Sequence, residues 1–167
     1  EPTSLVGDAM NTAVTAGEYL FNCHGLGLRF RTSVSAFVEP ALAFLRHFHT
    51  DVAQEAPVLT IQFDEVASRA EVPVTRSAGS KVLFAGERPS LGDTMRPLWQ
   101  CEIVQDGDRL IADFHDQGVL VIDGARNLVV GYFIRPDAMH PDVRTSFLHF
   151  ALAELLKRNG LFTVHAT

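Results

Sequence analysis

Cysteine is scarce in this chain of 167 residues, with only Cys23 and Cys101. They lie far apart and outside any CxxC spacing, which excludes a disulfide scaffold and a thiolate zinc ribbon. Two buried thiols in a reducing cytosol is the expectation, although spacing alone does not decide whether the two pair. No apolar run approaches the about 20 residues that a membrane helix needs. Basic residues are outnumbered: 14 Lys and Arg stand against 20 Asp and Glu, for a formal charge of −6. That argues against a nucleic-acid surface, which works by displacing counterions with cationic side chains, and against docking on anionic lipid. A cytoplasmic protein without nucleic-acid or membrane partners is expected.

Catalytic motifs are also lacking. There is no GxSxG elbow, no HExxH and no HxxxH pair, so neither a nucleophile on a strained turn nor two zinc ligands on one helix face can be drawn. The seven histidines are His24, His47, His49, His115, His140, His149 and His165. They are scattered, and a metal site would have to be assembled from distant ones. Cys23 and His24 are strand neighbours that point to opposite faces, so they cannot form a catalytic pair. Asp106, Asp108, Asp113, Asp116 and Asp123 fall in or beside turns, where aspartate bonds nearby backbone amides. No phosphate cradle GxxxxGK followed by Ser or Thr is present; Gly25-Leu26-Gly27 is a loose GxG followed by a strand rather than a helix. No catalytic residue, metal or cofactor is assigned to the chain on these grounds.

What is there is the patterning of a packed domain. Apolar residues make up 47% of the chain, and a domain of this size buries roughly 70% of the surface its unfolded chain exposes. A single domain over 1–167 is expected, with an irregular lead-in at 1–18. Tyr19–His24 and Leu28–Thr32 read as strands. Val38, Ala41, Leu42, Leu45 and Phe48 recur at helical spacing, giving a first helix that ends near Thr50. Val58–Phe63 and Lys81–Ala85 are further strands, and Gly86–Pro97 reads as a loop. Between 99 and 134, four apolar segments are joined by short turns, including the hairpin signal Asp106-Gly107. They predict an antiparallel meander. His140-Pro141-Asp142 opens a second helix over 141–159, with proline in its first turn, Lys157-Arg158 in its last and Asn159-Gly160 as its stop signal. The fold class expected is α+β: a mostly antiparallel sheet, the four-stranded meander, with two main helices packed on it.

Thr145 to Thr167 combines that amphipathic helix, its glycine cap and a strand ending in His165-Ala166. The run resembles the segment just upstream of the P-loop in HPr kinase-like proteins, where a helix leads into a strand marked by "HA" or "HG" before the Walker A loop. The resemblance covers about the last twenty residues and carries over one position, His165, as a candidate neighbour of a phosphate site. It implies that 161–167 is the first strand of a following kinase-like domain, in a chain whose start at Glu1 and end at Thr167 read as trimmed. ATP, magnesium and a serine kinase-like phosphotransfer are implied only for that longer parent. These residues would be its non-catalytic accessory or regulatory N-terminal domain, with its own C-terminal P-loop domain, a homodimer or a protein substrate as partners. The alternative is a stand-alone module binding a small ligand or a protein, in a pocket between the first helix and the sheet lined by Phe37, Phe44 and Phe48. A third reading is a metal-assisted hydrolase built from the scattered His and Asp.

Overall fold

The computed structural model describes residues 17–52, 58–89 and 98–161. Eight strands appear in it: β1 (Gly17–Cys23), β2 (Leu26–Thr32), β3 (Val58–Val66), β4 (Lys81–Arg88), β5 (Trp99–Asp106), β6 (Arg109–Asp113), β7 (Gly118–Asp123) and β8 (Leu128–Ile134). Two α-helices accompany them, α1 (Val38–Leu45) and α2 (Pro141–Arg158). All eight strands join one sheet in the order β1-β2-β3-β8-β7-β6-β5-β4.

This overturns the expected fold class. The sheet is mixed and eight-stranded, not a four-stranded antiparallel meander. β5 to β8 do pair antiparallel in sequence order, but β8 continues into β3, and β3 into β2, through two parallel ladders. Short turns reveal only the pairs they connect. The β3–β8 ladder joins segments far apart in sequence, and an alternating apolar pattern reads the same in parallel and antiparallel strands. The expected loop from Gly86 is also shorter at its start, because β4 runs on to Arg88. The first helix is broken up: 3₁₀ turns at Ser35–Phe37 and Arg46–Phe48 flank an α-helix of 8 residues.

Both helices cover the same face of the sheet, which is the oily one. Across it the register aligns Phe30, Ile61, Val129 and Ile122 in one row and Phe63, Gly131, Leu120 and Ala112 in the next. Phe37, just before α1, lies with its ring centroid 4.8 Å from Phe63 and 4.6 Å from Phe133. Phe147 of α2 stacks on Phe133 at 5.0 Å and meets Phe114 edge-on at 4.3 Å. Gly131 makes this aromatic cluster feasible, since a Cβ there would collide with the Phe63 and Phe133 rings. Tilted and edge-to-face ring pairs of this kind add to simple area burial.

The ends of α2 are fixed. At its start, His140 Nδ1 accepts the Asp142 N–H at 3.2 Å, and Arg144 donates to the Met139 carbonyl at 2.8 Å. At its end, the Asn159 side-chain amide donates to Asn127 Oδ1 at 3.1 Å, in the turn before β8. The helix is thus pinned at the point where the chain leaves it. No helix among the described residues is long and apolar enough to cross a membrane.

Candidate functional site

The opposite face of the sheet differs in kind. Its three rows read Arg29-Thr60-Leu128-Asp123-Arg109-Asp106, then Arg31-Gln62-Val130-Val121-Ile111-Val104, then Asp64-Tyr132-Val119-Asp113-Glu102. Half of this face is covered. The crossover between β3 and β4, residues 67–80, runs over β5, β6 and β7 as a strap. Val72 and Val74 pack on the buried Val104, Ile111 and Val119. Ionic contacts hold its two ends: Arg69 reaches Asp113 at 2.6 Å, and Arg76 reaches Asp113 at 3.0 Å and also pairs with Glu102. Ser77 donates from its hydroxyl and its backbone N–H to Asp106, which also takes Arg109 at 2.7 Å.

Asp106 and Asp113 are among the few buried charged residues. The Ser77 hydroxyl, with help from the Ser77 amide and the Arg109 guanidinium, holds the Asp106 carboxyl below the usual aspartate range. Asp113 also accepts the His115 N–H at 2.9 Å. Turn chemistry alone therefore missed the strap anchored on these two carboxylates. The signal for it is Val72-Pro73-Val74-Thr75-Arg76, an alternating apolar stretch closed by a cation. Asp123 behaves as a turn residue should, accepting the Arg126 N–H at 3.1 Å.

Beyond the strap, β8, β3 and β2 present three parallel columns. Leu128, Val130 and Tyr132 form an apolar one, Thr60, Gln62 and Asp64 a polar one, and Arg29 and Arg31 a cationic one whose charge Glu18 partly offsets. A half-open groove follows the apolar column. Pro73 and Val74 of the strap wall it, Val121, Leu128, Val130 and Tyr132 line it, and Arg109, Arg126 and Asp123 stand around it. Burial, with the Asp64 carboxylate nearby, pushes the Tyr132 phenol upward. It therefore stays a neutral hydroxyl at physiological pH. A more polar cleft sits at the other side of this face, among Glu18, Arg31, Ser33, Gln62 and Asp64.

The residues singled out from the sequence are not gathered here. Phe37 is buried in the aromatic cluster, Phe44 is exposed against the His149 ring at 4.4 Å, and Phe48 rests against His24 at 5.4 Å. They do not line one pocket, because the space beneath Phe37 is filled by Phe63 and Phe133. His165 and the 161–167 strand lie, from residue 162 on, outside the described residues, as does the 1–16 part of the lead-in. Among the described residues no three His, Cys, Asp or Glu are grouped to hold a metal ion. Cys23 and Cys101 are both free and buried. Burial, reinforced by the Asp113 and Glu102 charges, pushes the Cys101 thiol up to about 12.

The chain is 31% identical over 74 residues to 2-succinylbenzoate--CoA ligase of Bacillus mycoides (strain KBAB4). That stretch is 44% of this chain, and it spans 15% of the ligase's length. No family model matches the chain, and no solved structure matches it.

Proposed function

We propose that these residues form a non-catalytic accessory domain standing in front of the ATP-binding loop of an HPr kinase-like cytoplasmic kinase. The observation that carries this reading is the anchoring of α2. Its apolar stripe is spent on the sheet, and the Asn159–Asn127 bond fixes its C-terminal end. In this reading the helix is the fixed lead-in to the segment that carries His165. ATP and magnesium have no cradle among the described residues. Gly25 lies in the tight turn between β1 and β2, and both helices are entered from 3₁₀ turns rather than from a glycine-rich loop. A phosphate loop needs strand, glycine-rich turn and helix in succession. In this reading nucleotide is bound by polypeptide beyond Thr167.

The test is the coding sequence downstream. The expected result is GxxxxGK followed by Ser or Thr within about thirty codons, and a longer product that binds ATP·Mg while residues 1–167 alone do not. A stop codon after Thr167, or ATP turnover by the 167-residue chain, overturns the proposal.

A second reading, a stand-alone module for a small ligand or a protein, draws on the uncovered half of the sheet and its groove. The likeness to the CoA ligase covers too small a share of that enzyme to bring its activity to this chain.

A further inference from the structure

The groove beside the strap has a direction. At one end, near Leu128, stand Arg109 and Arg126; along its floor run Val121 and Val130; at the other end is Tyr132. Arg126 is exposed and has no ion-pair partner among the described residues. Arg109 has one, Asp106, which leaves part of its five-donor fork free. The Tyr132 hydroxyl has no hydrogen-bond partner among the described residues. From Leu128 to Tyr132 the strand advances roughly 13 Å at its usual rise. The groove therefore carries two guanidiniums at one end, set against the carboxylates of Asp106 and Asp123, an apolar middle and a neutral hydroxyl donor at the other end.

We propose that this groove binds an elongated organic monoacid, with its carboxylate at Arg126 and Arg109, its apolar body along Val121 and Val130, and its far end at Tyr132. The proposal rests on the stand-alone-module reading and does not depend on any polypeptide beyond Thr167. Charge complementarity selects the acid end, since guanidinium and carboxylate match in planar geometry. The floor selects against small hydrophilic anions, because binding there gains mainly from removing apolar surface from water. Asp123 works against the carboxylate. Its Oδ1 takes the Arg126 backbone N–H, and its remaining charge sets how close the acid can sit.

The test is calorimetric titration of the 167-residue chain with 4-phenylbutyrate, alongside 4-phenylbutanol and acetate. The expected result is saturable binding of 4-phenylbutyrate, with the alcohol and acetate each at least about tenfold weaker. Arg126→Gln should weaken 4-phenylbutyrate about tenfold while leaving the alcohol unchanged, and Asp123→Asn should tighten it severalfold. Both positions are on the groove rim, and unchanged melting temperatures would show that the variants fold. Amide shifts should be confined to 72–75, 109–111, 118–126 and 128–134. No saturable binding of 4-phenylbutyrate, equal binding of the alcohol, or an Arg126→Gln variant that binds as the parent does, overturns the proposal.

Discussion

Among the carboxylates of the turns, Asp106 and Asp113 are set apart by burial and by partners in the strap that lie 29 and 44 residues away in sequence. A carboxyl held below its ordinary value stabilises the fold above that value and loses this effect as pH falls through it. For Asp106 the ordinary value is 3.8, so its contribution is present at neutral pH and fades in acid below that point. Ser77→Ala removes the largest cause, and the Asp106 carboxyl should then titrate at higher pH, as read by carbon-13 shifts of its side chain. Cys101 shows the opposite sign. Its thiol is raised from 9.0 to about 12, so the folded state favours the neutral form, and alkali above pH 9 favours unfolding because the unfolded thiol ionises first. At pH 8 neither Cys101 nor the buried Cys23 should react with iodoacetamide until denaturant is added, since thiolate is the nucleophile; mass spectrometry of the alkylated protein checks this.

At the scale of elements, α2 and the strap clamp the sheet from opposite sides by different physics. α2 is held by apolar surface. Phe147 is fully buried among Phe114 and Phe133, and Phe147→Ala should cost about 3–5 kcal/mol, seen as a lower urea midpoint. The strap is held chiefly by guanidinium–carboxylate contacts that are half open to water, plus two valines. Arg76→Ala should cost only about 1 kcal/mol, yet hydrogen exchange should quicken selectively over 67–80, and added salt should mimic it. These two elements also divide what the sequence makes legible. The second helix can be read because its stripe, its proline start and its Asn-Gly stop all agree, and the β5–β8 hairpins because their turns are short. The β2–β3–β8 ladders cannot be read, because no local signal tells β3 which distant strand to join. The groove is equally hidden. Arg109, Arg126, Val121, Val130 and Tyr132 become neighbours only through cross-strand register, and a chain read residue by residue scatters them over unrelated turns and strands. Phe37, Phe44 and Phe48 share a segment and an aromatic character, but the break from α-helix to 3₁₀ turns points them in three directions.

For the molecule as a whole, the end of the sheet at β4 is the exposed margin. Val82, Leu83 and Phe84 are 52%, 51% and 47% accessible, a run of three large apolar residues on a strand that, among the described residues, is paired only on its β5 side. The irregular register between Val82 and Phe84 interrupts the row of free backbone groups and so restrains edge-to-edge growth. Leu83→Lys should strengthen that restraint and raise the concentration at which heated protein scatters light, with little change in melting temperature. The parallel pairing of β3 with β8 has a consequence in time as well as in space. During synthesis, Val58–Val66 leaves the ribosome long before Leu128 exists, and at ordinary elongation rates the delay is on the order of seconds. Throughout that interval a nine-residue segment of alternating apolar residues has only β2 for company on one side and nothing on the other. The nascent chain is therefore at its most vulnerable between the synthesis of β3 and that of β8, and a chaperone that waits near the exit tunnel would find its best client site there.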